Sequence, residues 1–217
     1  VPLIDCSHRI ETGMPVYPGS DSVSVQPSAT VERDGAHVTN LQMETHAGTH
    51  IDVPSHMIAD GRTLDAFDVS LFTFDALIVD CTGKASREPI TVADLPEPSD
   101  NDLLVLHTGW SKHWGTDAYR DHPYLDKDAA TWCADHGYSV GIDCFSPDPT
   151  PSVDKTRESD SEPDGYPAHD ALFATDRRIV ENLTNLTALA REFELLAFPL
   201  AIPDGDGSPV RAVARCD

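Results

Sequence analysis

The stretch His46-Ala47-Gly48-Thr49-His50-Ile51-Asp52-Val53-Pro54-Ser55-His56 puts four side chains that bind metals or move protons into eleven residues. As a helix, at about 100° per residue, it would place His46 and His50 on one side, with Asp52 and His56 far round the cylinder. Pro54 rules out a helix interior, because it lacks a backbone donor and clashes with the preceding turn. In an extended chain, side chains alternate between faces. His46, Gly48, His50, Asp52, Pro54 and His56 then share one face, and Ala47, Thr49, Ile51, Val53 and Ser55 take the other. The spacing predicts a strand that carries a site.

The chemistry of that face suits a divalent metal. Two imidazoles and a carboxylate leave coordination positions open for water, as catalytic sites do and closed structural sites do not. Gly48 removes bulk between the histidines, so both rings can turn to a common point. Ordinary polar residues on a half-exposed strand are the competing explanation, and four such groups in register weigh against it.

Outward from this stretch, the 217 residues suit one domain, 1–217, with room for a sizeable core. The formal charge is −22, with 37 acids (27 of them Asp) against 15 bases, of which only 4 are Lys. Nucleic acid and anionic membranes would be repelled, which argues against either as a partner. Molar salt, with a screening length of about 3 Å, would relieve the self-repulsion. The balance fits a cytoplasmic protein of a salt-accumulating halophile. The five cysteines (Cys6, Cys81, Cys133, Cys144, Cys216) lack paired short spacing and read as reduced thiols. No apolar run reaches the roughly 18 residues of a membrane span, and no signal-peptide pattern opens the chain.

Along the chain, residues 1–10, 23–26 and 36–44 read as strands, as do the short apolar runs 75–80, 102–107, 139–143 and 194–198. Residues 91–95 suit a short helix. The clearest helix runs from Asp126 to His136, rich in Ala and stopped by Gly137. Thr187 is placed to cap a further helix through Arg191. Residues 148–164 are rich in Pro, Asp, Ser and Glu and read as a solvated surface loop. Beyond it, Glu181 sits among apolar residues in 178–183, and a buried carboxylate needs a cation or several donors. The mixture reads as one α/β domain.

The motif H-x-G-T-H-x-D-x-P-x-H, met here at every fixed position from His46 to His56, resembles the signature of the cyclase-like metal hydrolases. Kynurenine formamidases and isatin hydrolases belong to that family. Similar segments recur at Thr108-Gly109-Trp110, at Gly141-Ile142-Asp143 and in the Gly-Asp-Gly-Ser-Pro-Val-Arg tail. The resemblance implies a swivelling β/β/α fold, commonly a homodimer or higher homo-oligomer. It implies two divalent ions per subunit, Zn²⁺ or Mn²⁺. His46, His50 and Asp52 would hold the first ion, and His169 would join the second. Asp52 and Glu181 would bridge them. His56 would be the proton shuttle, and Tyr17 would wall the pocket of a small-molecule substrate.

The activity so implied is hydrolysis of a small amide by metal-activated water. N-formylkynurenine, cleaved to kynurenine and formate in tryptophan breakdown, is the first substrate to expect. Isatin-like lactams and enol lactones are alternatives. A non-catalytic metal-binding protein is the alternative of another class, and it would have no use for His56.

Overall fold

Leu103-Leu-Val-Leu106 is an unbroken apolar run. In the computed structural model, which describes residues 2–159 and 162–216, it lies in the middle of the main sheet. The strands of the first half are β1 (Leu3–Asp5), β2 (Ser24–Ala29), β3 (Val38–Gln42), β4 (His50–Asp52), β5 (Thr73–Asp80) and β6 (Pro89–Ile90). Those of the second half are β7 (Leu103–His107), β8 (Tyr124–Leu125), β9 (Ser139–Ile142), β10 (Ile179–Glu181), β11 (Glu192–Leu196), β12 (Gly207–Pro209) and β13 (Val213–Arg215). The helices are α1 (Val31–Asp34), α2 (Lys127–Asp135) and α3 (Pro167–Phe173).

Among the described residues, nine strands form one sheet in the order β1-β13-β11-β5-β7-β9-β10-β4-β12. The pairs β5–β7, β7–β9 and β9–β10 are parallel, and antiparallel strands extend the sheet on both sides. Both faces of the centre are covered, which is why β7 is apolar without alternation. Leu104, Leu106, Val140 and Ile142 point to one face and pack on Ala130 and Cys133 of α2 and Leu172 of α3. Leu103 and Val105 point to the other face, into a core shared with Ile51 and Val53 from one end of the sheet and Leu195 and Ala214 from the other. That sharing requires a curled sheet. Thr184 N–H donates to Cys6 O at 3.0 Å, and Ser7 bridges Leu183, so the chain beyond β1 closes against the chain beyond β10. The α/β, swivelling β/β/α expectation holds.

α2 follows its sequence signals. The Asp126 carboxylate accepts Ala129 N–H at 2.7 Å as the N-cap, and Gly137 adopts φ +86 just past the end. β2 and β3 leave the main sheet and pair as a separate hairpin, in which β3 is exposed along its whole length.

Several segments differ from expectation. Only His50–Asp52 of the site stretch is a strand. Gly48 turns the chain before it at φ +73, and Pro54–His56 after it form a 3-10 turn with Pro54 in the first position. Thr187 caps no helix: Leu186–Ala188 make a single 3-10 turn, and the chain then enters β11. Residues 92–94 likewise form a 3-10 turn, capped by Thr91. The first strand covers 3–5 only; Val1 lies outside the described residues.

The acidic segment 148–164, of which residues 160 and 161 lie outside the described residues, is not simply solvated. Asp148, Thr150 and Ser152 are buried. Arg87 grips the Glu162 carboxylate with Nε and Nη2 and donates through Nη1 to Thr150 O at 2.9 Å. Asp121 accepts from Ser152 Oγ at 2.6 Å and pairs with Arg157 at 3.1 Å. Neighbouring cations and hydroxyls hold this segment against the body.

Candidate metal centre

The site forms where three elements meet at the carboxyl ends of the parallel strands, where open α/β sheets place their ligands. β10 pairs with β4 so that Glu181 faces His50, and alternation puts Asp52 on the same side of the sheet. Ile51 and Val180 point to the opposite face and anchor both strands in the core. α3 packs over the site side and brings in His169.

His50, Asp52, His169 and Glu181 are all at most 5% exposed. His50 Nε2 lies 3.2 Å from Asp52 Oδ1 and 3.3 Å from Glu181 Oε2. His169 Nε2 lies 3.9 Å from Asp52 Oδ2 and 3.6 Å from Glu181 Oε1. His46 Nδ1 lies 2.6 Å from Asp52 Oδ1. Besides a rim group of His46, His56 and Asp206, two ligand-like triads result, His46–His50–Asp52 and Asp52–His169–Glu181, each with its donor atoms within 4.8 Å of one another. Asp52 belongs to both.

The rings are aimed by the chain around them. His50 Nδ1 donates to Gly48 O at 2.8 Å, which leaves Nε2 facing the carboxylates. His169 Nδ1 donates to Asp148 Oδ2 at 2.6 Å, with the same result. A remote acceptor that fixes the imidazole tautomer is the usual support of a metal-ligating histidine. Gly48 O also accepts Asn182 Nδ2 at 3.0 Å, and Asn182 is held in turn by the Tyr119 hydroxyl at 2.9 Å. A side chain at Gly48 would need φ +73 and would meet Met14 Cε at 2.8 Å, so this turn needs glycine.

The electrostatics fit a cation. Burial alone would push His50 down, but Asp52 and Glu181 outweigh it and raise its pKa well above the usual value. Burial would raise Asp52, but His50 and His46 hold it well below the ordinary carboxylate range. Burial and the Asp52 charge push Glu181 up. Glu181 Oε1 is buried with no hydrogen-bond partner among the described residues. Two carboxylates this close, one with an orphaned oxygen and both faced by imidazole nitrogens, are a donor set that could hold a divalent ion.

His56 stands beside this cluster. Its ring lies over His46 with centroids 3.8 Å apart, and its Nδ1 is 3.6 Å from Asp206 Oδ2. Burial, helped by His46 and His169, keeps its pKa below the usual value despite Asp52 and Asp206. A cavity of about 300 Å³ opens over the cluster, walled by Tyr17, Met57, Phe145 and Tyr166. Tyr17 meets Phe145 edge-on at 6.3 Å.

Every residue singled out from the sequence (His46, His50, Asp52, His56, His169, Glu181 and Tyr17) therefore lines one cavity. Asp148, Asn182 and Asp206 were not predicted. Asn182 follows Glu181 directly, and that adjacency was its one signal. Asp143 proves structural, accepting Thr108 N–H at 2.9 Å and Gly109 N–H at 2.8 Å.

A family model described as a cyclase matches residues 4–149. The kynurenine formamidase of Bacillus mycoides is 31% identical over 220 residues, 98% of this chain and 96% of the relative. That of Erythrobacter litoralis is 30% identical over 213 residues, covering 97% and 92%. Isatin hydrolase A from Labrenzia aggregata, solved with benzyl benzoate, superposes with TM-score 0.85 at 22% identity, covering 99% of this chain and 93% of that one. Isatin hydrolase A from Ralstonia solanacearum gives 0.86 at 22% identity over 100% and 92%. At that identity the two solved structures speak to the fold alone.

Proposed function

Because this chain belongs to the cyclase family of metal-dependent hydrolases, we propose that it cleaves the amide C–N bond of N-formylkynurenine to give kynurenine and formate. The observation that carries the reading is the pair of triads sharing the buried Asp52, with Glu181 Oε1 of the second triad unpartnered among the described residues. His46, His50 and Asp52 would hold one divalent ion and His169, Asp52 and Glu181 a second, two per subunit. The three imidazoles suit Zn²⁺, and the carboxylates also admit Mn²⁺. Such an ion, when bound, brings a water's pKa toward neutrality and polarises a carbonyl.

The chain's own groups do the rest. Gly48 O and Asp148 hold the rings of His50 and His169 so that each presents Nε2 inward. Tyr17 and Phe145, in edge-to-face contact at the cavity wall, offer the aryl ring an apolar surface beside the cluster. An anilide nitrogen must be protonated as it departs. His56, at the cavity wall and beside the ligand cluster, supplies that proton.

Isatin presents the same kind of bond as a cyclic amide, and a site whose metal-ligating groups act on the amide bond keeps it as a second substrate class. The test is a panel of N-formylkynurenine, isatin and simple lactones at molar salt with Zn²⁺ or Mn²⁺. The reading requires N-formylkynurenine to give the highest kcat/KM. Preference for isatin or a lactone would move the assignment, and no turnover of any of them would sink it.

The setting belongs to the same proposal. The all-exposed β3, with Val38 and Leu41 outward, supports pairing with a second copy of the chain. The charge of −22 and the five buried free cysteines support a reducing, salt-rich cytoplasm and argue against nucleic acid. Among the described residues, no helix is long and apolar enough to cross a membrane.

A further inference from the structure

Between Gly205 and Gly207 the chain brings a carboxylate to the rim of the metal cluster. Asp206 Oδ2 accepts from His46 Nε2 at 2.9 Å, and the same oxygen lies 3.6 Å from His56 Nδ1. The carboxylate is held from behind, since Thr45 Oγ1 donates to Oδ1 at 3.1 Å. Its backbone is held as well: Asp206 O accepts Val53 N–H at 3.1 Å, and Gly205 O accepts Leu64 N–H at 2.8 Å and Ser55 Oγ at 3.1 Å. β12 reaches this position only because Gly207 is bare. A Cβ there would lie 2.7 Å from His46 Cε1, 2.9 Å from Ile51 O and 3.1 Å from Asp52 Oδ1.

We propose that Asp206 is a positioning residue whose one oxygen fixes the presented nitrogen of both His46 and His56. A neutral imidazole has one N–H and one lone pair, and the acceptor at one nitrogen decides which is which. Both His46 nitrogens face carboxylates, Nδ1 at 2.6 Å from Asp52 and Nε2 at 2.9 Å from Asp206; with an ion bound, the Nε2–H given to Asp206 would leave the Nδ1 lone pair for that ion. His56 Nδ1 faces the same oxygen at 3.6 Å, just beyond a hydrogen bond, and closing that gap would leave Nε2 for proton exchange with the substrate. The ring contact, tilted at 33°, and the shared carboxylate make ligand and proton shuttle one unit. A shift of Asp206 moves both.

This inference rests on the hydrolase reading, and its test separates the two. Metal affinity is measured by chelator competition with Zn²⁺ or Mn²⁺, and kcat and KM with N-formylkynurenine at saturating metal, for wild type, Asp206→Asn, His56→Ala and the double variant. Asp206→Asn is expected to weaken metal binding 10–100-fold. It is also expected to lower kcat while leaving KM within about twofold, since the cavity walls are untouched. In the His56→Ala background it should cause no further loss of kcat, because that part of its effect passes through His56.

Thr45→Val leaves the carboxylate in place but frees it to rotate, and should reproduce the affinity loss more weakly even where Asp206→Asn fails to fold. Unchanged metal affinity in both variants, or a kcat loss that persists undiminished without His56, overturns the proposal while wild type still binds metal. Wild type that binds no divalent ion overturns the hydrolase reading and this inference with it.

Discussion

His169 Nδ1 lies 2.6 Å from Asp148 Oδ2, and both side chains are buried. The same carboxylate accepts the backbone N–H of Ala168 at 2.8 Å and of His169 at 3.1 Å, so it fixes the first turn of α3 as well as the ring. Asp148→Asn keeps the shape and removes the charge. Metal affinity should fall about 10–100-fold, as for other supporting partners of ligating histidines. Chelator competition on the folded variant checks this, and an unchanged affinity would mean that His169 is aimed by something else.

His56→Ala should keep its metals and lose turnover. A positioned acid or base contributes about 10²–10⁴-fold, and the loss should fall in that range. The defect should shrink for activated esters, whose leaving groups depart without a proton. Equal losses on amide and ester, together with depleted metal, would make His56 a ligand instead.

His122 predicts an acid-sensitive window. Burial holds its pKa down at about 4, with Nδ1 2.7 Å from Pro123 O and Nε2 2.7 Å from Thr150 Oγ1. The unfolded imidazole titrates near 6.5. Between those values the unfolded chain binds a proton that the folded chain refuses, so stability falls as pH drops through the window. At about 1.4 kcal/mol per pH unit, this one group costs roughly 3 kcal/mol by pH 4. Urea unfolding at pH 6.5, 5.5 and 4.5 should show a shallower decline for His122→Asn than for wild type. Parallel declines would remove His122 as the cause.

The charge of −22 predicts that folding is strengthened by salt. Screening relieves repulsion among exposed carboxylates, so the thermal midpoint should rise from about 0.1 M to molar KCl. A flat midpoint across that range would contradict the halophilic reading.

His46, His50 and Asp52 were legible because they fall within seven residues and their types alone name the chemistry. Their geometry was only partly so. Simple alternation placed His50 and Asp52 on one face, but the φ +73 turn at Gly48 and the 3-10 turn at Pro54 bring in His46 and His56 by other routes. His169 and Glu181 were visible through the family motif and not through spacing, because β10 and α3 meet β4 only in the folded sheet.

Asp148 was hidden by its neighbours. It opens a stretch whose composition says solvent, and its burial comes from α3 docking over the sheet. Asp206 lies in the Gly-Asp-Gly-Ser-Pro-Val-Arg tail that resembles the family's ending, but nothing in its spacing ties it to the metal cluster. Thr187 misled because a capping residue followed by Ala and Leu suits a helix, while the pairing of β11 with β5 demands extended chain from Glu192 onward.

The central claim is that the paired triads make this chain a metal-dependent amide hydrolase. Metal-depleted protein, given Mn²⁺ or Zn²⁺ stepwise in molar KCl and assayed for formate release from N-formylkynurenine, tests it most directly. Activity should be absent without metal and should rise to a plateau at about two equivalents per chain, the number of triads that share Asp52. Turnover that survives metal depletion, or none at full loading, would contradict the account.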